Sequence, residues 1–135
     1  MSQIKIRAAL ETALNSITPS IACAWENVSF TPPASSVPYQ QAHMIFARPA
    51  NIEAGSSHQE LGFMQIKLMY PENAGPATAT ARAELLRTTF RRAASFVNSG
   101  VTVSITDTPE ITRGEPEDGR FVLVVKIRFR SFIPS

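Results

Sequence analysis

The chain is short of the residues that most chemistry needs. One cysteine, Cys23, stands among 135 residues. A lone thiol can form neither an internal disulfide nor a thiolate metal cluster, so nothing in the chain calls for an oxidising compartment. Only two histidines occur, His43 and His58. They have no partner at HxxH or HxxxH spacing, and a metal site needs three or four ligands, so no metal is expected. Long apolar runs are also missing. None approaches the roughly 18 residues of a membrane helix. The opening Met1-Ser2-Gln3-Ile4-Lys5-Ile6-Arg7 lacks the apolar centre of a signal peptide. The expectation is a protein made and kept in the cytosol, with no membrane partner. No Gly-x-Ser-x-Gly elbow is present, and Asn73-Ala74-Gly75-Pro76 has one glycine and no following lysine, unlike a phosphate loop. Cys23 alternates with Ile21 and Trp25 and reads as a packed small hydrophobe rather than a nucleophile. No catalytic residue and no cofactor is nominated, and an enzyme is not expected.

What is present describes a folding unit with a particular kind of surface. The length suits one domain over residues 1–135, which buries roughly two thirds of the surface its unfolded chain exposes. Charged residues make up 18%, somewhat few, which leaves neutral surface for neighbours to cover. The net charge of +2 is too small to argue for nucleic-acid binding. Ten of the 13 basic residues are arginine, whose weakly hydrated fork tolerates interfaces better than lysine does.

Periodicity sets the elements. Ile6, Leu10, Ala13, Leu14 and Ile17 recur at helical spacing, with Ser2 as an N-cap and Pro19 forbidding continuation. Residues 21–26 read as a short strand that ends before Asn27 and the Pro32-Pro33 pair. Residues 37–48 form a second strand with bulk on both sides. Residues 49–59 form a long loop, and 61–70 a third strand with Met64, Ile66, Leu68 and Tyr70 on one face. A second helix starts near Pro76 and carries Ala79, Ala83, Leu86, Phe90, Ala94 and Val97 as its stripe, ending at Asn98-Ser99-Gly100. Val101, Val103 and Ile105 mark a fourth strand. Residues 108–119 form an acidic, proline-containing loop expected to be mobile. Residues 120–132 form the longest strand, with Phe121, Leu123, Val125, Ile127 and Phe129 on one face. The expected fold class is therefore α+β: a two-layer sandwich with a mostly antiparallel sheet of about five strands and two helices packed on one face, in the order α-β-β-β-α-β-β.

The charged clusters have plain readings. Glu115, Glu117 and Asp118 lie in a Pro- and Gly-containing loop and read as solvated rather than as a cation site. Arg87, Arg91 and Arg92, with Lys126, Arg128 and Arg130 on the last strand, invite a nucleic-acid reading. Aromatics are not interleaved among them, so a solvated or subunit-facing basic stripe is favoured. Trp25 and Phe30 fit local core or interface anchors equally.

Several stretches together resemble the tail terminator and tail-completion family of long-tailed bacteriophages. They are the strand with Trp25 followed by Asn27-Val28-Ser29-Phe30-Thr31-Pro32-Pro33, the strand at Tyr39, and Gly62-Phe63-Met64-Gln65-Ile66 leading to Tyr70-Pro71. After them come a helix introduced by Gly75 with Ala79, Ala83, Leu86 and Phe90-Arg91-Arg92, and a long final strand. Ala93-Ala94 stands where the resemblance leads one to expect a glycine. The resemblance covers nearly the whole chain and implies a non-enzymatic virion protein. Such a subunit forms a homo-oligomeric, hexameric ring, and it can stay monomeric until it meets the tube. The ring would cap the tail-tube protein, stop its polymerisation and offer a surface to the head–tail connector protein, with DNA passing through the lumen without sequence-specific binding. A head-completion or neck protein is the near alternative, and a small nucleic-acid-binding module the distant one. Arg82, Arg91, Arg128 and Arg130 are the candidates for subunit interface or lumen, because they lie off the apolar stripes. Ile52, Glu53, His58, Glu110, Arg113, Glu115 and Glu117 are the candidates for loops that touch partners, and excision of residues 110–117 is expected to spare the fold.

Overall fold

A computed structural model describes residues 2–51 and 55–134. Its elements are α1 (Ser2–Asn15), β1 (Ala22–Ala24), β2 (Tyr39–Phe46), β3 (His58–Pro71), α2 (Ala77–Thr89), β4 (Ser95–Asn98), β5 (Val101–Ile105), β6 (Glu110–Arg113) and β7 (Arg120–Ile133). The expected simple antiparallel two-layer sandwich is overturned. Seven strands form one mixed sheet curled into a half-barrel, in the order β1-β2-β3-β7-β5-β4, with β6 also paired to β7.

Three local causes account for the difference. First, the second helix is shorter than its apolar stripe suggested. It ends at Thr89, Phe90 leaves the helical region at φ −105° and ψ 42°, and Ala93 sits at φ +73°. That reversal lets Ala93 N–H donate to the Ile105 carbonyl and Ile105 N–H to the Ala94 carbonyl, both at 2.9 Å. Residues 95–98 then run as β4 against β5, so Val97 belongs to a strand and is 66% exposed. Second, the stretch expected to be a mobile acidic loop contains β6, which pairs from Glu110↔Lys126 to Arg113↔Leu123. One edge of β7 is thus served end to end by β6 and β5, because a 14-residue strand is too long for either alone. Third, the chain between β1 and β2 crosses over rather than turning back, and the two strands pair in parallel, from Ala22↔Tyr39 to Ala24↔Gln41.

The centre of the sheet is the β3–β7 pair, in continuous register from His58↔Ile133 to Pro71↔Arg120. Alternation sends Met64, Ile66, Leu68 and Tyr70 of β3, with Leu123, Val125, Ile127 and Phe129 of β7, to one face. Both helices feed that core. Ile6, Ala9, Leu10 and Leu14 come from α1, and Ala79, Ala83 and Leu86 from α2. Ser2 lies inside α1 rather than capping it, with its hydroxyl 3.4 Å from a Glu60 carboxylate oxygen. Glu26 fixes α1 to the sheet by accepting hydrogen bonds from the Met44 amide and from Arg7. Burial opposes its ionisation, but those two donors outweigh burial and hold its carboxyl below the usual range. Gly62 is required where β2 passes closest to β3. A Cβ there would stand 2.2 Å from the Ile45 carbonyl oxygen, and backbone cannot move aside as a side chain can.

Candidate interaction surfaces

The sheet face away from the helices carries the features that distinguish this surface. It has three zones along the strands. At the end where β7 begins, Tyr39, Met69 and Val122 form a second small core, with Phe30 and Val124 packed against it. The Phe30 and Tyr39 rings lie 5.2 Å apart. The proline-rich chain before β2 is held over this patch by Arg120, which is 3% exposed. One guanidinium nitrogen donates to the carbonyls of Val37 (2.6 Å) and Met69 (3.4 Å), and the other to those of Pro33 and Ala34 (both 2.9 Å). Its carbon lies 4.7 Å from the centre of the Tyr39 ring. No carboxylate is among these contacts. The fork serves the Pro33 and Val37 carbonyls in a segment short of N–H groups, and adds a second donor to the Ala34 carbonyl, which also accepts from the Val37 N–H at 2.8 Å. Sequence reasoning missed Arg120 and treated it only as the first residue of the last strand. The available signal was the Pro32-Pro33 pair, which removes N–H donors from a segment whose carbonyls then call for one from outside.

The middle zone is held by charge. Lys67 donates to Glu117, Arg128 donates to Glu110, and Lys126 lies 4.6 Å above the Phe63 ring. Two candidates from different groups, Arg128 and Glu110, are thereby brought together, because β6 runs alongside β7. Arg113 lies 5.3 Å above the Phe121 ring, on the helix side of the sheet. Excision of residues 110–117 therefore removes a strand, the β6–β7 ion pair, the Lys67–Glu117 ion pair and the cover over part of β7. The expectation that such an excision spares the fold is corrected.

At the far end the face is open. Arg130 is exposed and shares an open hollow with Arg92, Ser104 and Thr106. Arg91 and Arg92 lie in the turn after α2, not on its surface. His58 begins β3 opposite Ile133, with Nδ1 3.2 Å from the Ser56 carbonyl, rather than lying in the loop expected over residues 49–59. Glu115 is exposed in the turn before β7. Ile52 and Glu53 lie outside the described residues.

Arg82 is not at the surface. It is 5% exposed and donates to the Pro19 carbonyl, while its Nε has no partner. Burial pushes its pKa down, and the neighbouring Tyr70 partly offsets this. Its spacing off the apolar stripe was real, but the chain after α1 folds over it.

Among the described residues, no group of three or more His, Cys, Asp or Glu side chains comes together, and no helix is long and apolar enough to cross a membrane. The surface therefore presents an uncovered sheet face, unpaired arginines at one end and carboxylates at the other, which is a layout for contact. The family model of the phage tail terminator protein matches residues 5–129. The chain belongs to the phage tail terminator family. The family is structural rather than enzymatic, and it places this tail terminator among the components of the virion tail. A solved structure 26% identical superposes with a TM-score of 0.79, covering 100% of this chain and 99% of its own. No curated protein matches the chain. The expected glycine near Ala93 now has a physical meaning, because a tail terminator built this way puts that residue in the left-handed region.

Proposed function

We propose that this tail terminator closes the end of the tail tube as a hexameric ring, halts polymerisation of the tube protein and presents the surface to which the head connector joins. The observation that carries the proposal is a family match over residues 5–129 on a fold whose sheet face is uncovered beyond the Arg120-bound segment. A lone subunit leaves Ile45, 48% exposed, and Phe132, 44% exposed, in water on that face. Assembly gives such residues something to pack against. In this reading DNA passes through the lumen and is not read in sequence, since Phe63 is capped by Lys126 and Phe132 stands alone, so the face offers no row of open rings for bases to stack on.

Removal of the gene from its phage tests the reading. Electron microscopy of the lysate should show overlong, headless tails, and added purified protein should restore tails of normal length that join heads. Joined tails of normal length without the protein would refute the capping role. Location of the protein at the head vertex, away from the tube end, would favour a neck role instead.

A further inference from the structure

The two ends of the sheet carry opposite excess charge, three carboxylates against Arg113 where β7 begins and three arginines against Asp107 where it ends. Where β7 begins, Glu72, Glu115 and Asp118 are exposed and have no ion-pair partner among the described residues. Glu72 lies against the Gly119 turn, next to Asp118 in the chain, so the β3–α2 turn and the β6–β7 turn meet at this end. Where β7 ends, Arg92 and Arg130 line one hollow, Arg91 is beside them in the chain, and all three are exposed without an ion-pair partner among the described residues. Apolar side chains flank them on the same face, Phe132 two residues along β7 and Val97 on β4. From Arg120 to Arg130, at about 3.3 Å per residue, the strand spans roughly 33 Å. That is about four screening lengths at physiological salt. The charges of one subunit therefore do not neutralise each other.

We propose that the carboxylate end of one copy docks on the arginine end of the next, head to tail. The docking surface is the open end of the sheet, and its occupant is the Glu72 and Glu115–Asp118 turns of a second copy. Unpaired arginines beside exposed aromatic and aliphatic side chains have the composition of an interface centre. A contact between two different patches of the same chain repeats, and it closes into a ring when the rotation allows. A nucleic-acid partner would use the arginines but leave the acidic end unexplained. The inference rests on the ring assembly proposed above and names the contact that builds it.

Charge reversal with rescue tests it. One full-length variant carries Glu72→Lys with Glu115→Lys, and a second carries Arg92→Glu with Arg130→Glu. Circular dichroism and thermal melting check that each folds. Sedimentation velocity across a concentration series measures self-association at low and high salt. The wild type, monomeric when dilute, should associate at the upper end of the series, and more weakly as salt rises. Each variant alone should associate about 10- to 100-fold more weakly. An equimolar mixture should recover wild-type association, since each reversed end then meets its opposite, and the chain carrying all four substitutions should recover it alone. A wild type that stays monomeric even at the upper end of the series, variants that associate normally, or a mixture that does not recover would each overturn the proposal. So would tight duplex DNA binding by a wild type that does not self-associate. Overlong tails on gene removal would survive any of these results, so the capping role and the contact are judged separately.

Discussion

Replacing Arg120 by alanine probes the least expected contact in the molecule. The guanidinium makes four hydrogen bonds to carbonyls, three of them in the stretch from Pro33 to Val37 and one on Met69. Hydrogen bonds to a charged group contribute about 1.5–3 kcal/mol each, so the gross loss is roughly 6–12 kcal/mol. Two effects offset most of it. A buried cation with no carboxylate costs several kcal/mol to desolvate, and that cost disappears with the side chain. The three carbonyls of the proline-rich segment can also swing out and regain water. The net loss is then about 2–4 kcal/mol, a drop of about 6–16 °C in Tm for a domain of this size. Urea denaturation measures the first quantity and calorimetry the second. The damage should be local before it is global. Amide exchange should accelerate from Ala34 to Tyr39 while β3 keeps its protection, because the other sheet face and its helices do not depend on Arg120. Arg120→Lys should recover less than half of the loss, since one ammonium cannot span carbonyls on both sides of the fork. A destabilisation of R120A below about 1 kcal/mol, with exchange in the segment unchanged, would show that the proline-rich chain is held by Phe30 and Tyr39 packing alone.

Two further outcomes follow from backbone strain and from burial. Ala93→Gly should raise stability by about 0.5–1 kcal/mol, read as a Tm gain of about 2–4 °C, because φ +73° is strained for alanine and free for glycine; a neutral or lower Tm would mean that the turn is held for another reason. Cys23 is pushed by burial to about 12, with Gln40 only partly offsetting it. The folded state thus favours the neutral thiol, so this group's contribution to stability is complete below pH 9, the ordinary thiol value, and is lost as pH rises towards 12. Maleimide labelling at pH 8 should be slow in the native protein and fast in urea, and equal rates would show the thiol to be accessible.

The parts that were legible in the sequence are those where one residue pattern has one structural solution. The last strand was bounded to within a residue of Ile133 because odd positions from Phe121 to Phe129 are all apolar, and nothing but a strand uses that alternation over such a length. The first helix was legible for the same reason at period 3.6. The second helix was overextended because Phe90, Ala94 and Val97 continue its spacing by coincidence. A positive φ at an alanine leaves no mark in a sequence, as a glycine there would have done. β6 was hidden because Glu110, Thr112 and Arg113 are polar, and only Ile111 of its four residues packs against the core. Of the candidate surface, Arg91, Arg128, Arg130 and Glu115 were placed outside the core correctly, since polarity on a predicted outer position is a local property. Arg82 was not, because the chain after α1 covers it, and Arg120 was not among the candidates at all, because the segment that buries it lies far away in the chain, before β2.

The pairing of β7 has a consequence for the order in which the molecule is made. The strand in the middle of the sheet leaves the ribosome after the six strands it joins, and it contacts β3, β5 and β6 together. It also delivers Arg120 to carbonyls about 50 to 90 residues earlier in the chain. Until residue 133 has been added, β3 has one edge unfilled and the segment from Pro33 to Val37 has no anchor. A chain that is cut short cannot present either charged end in its finished shape. In the proposed ring, only completed subunits would then be able to join, and one faulty copy would break the circle.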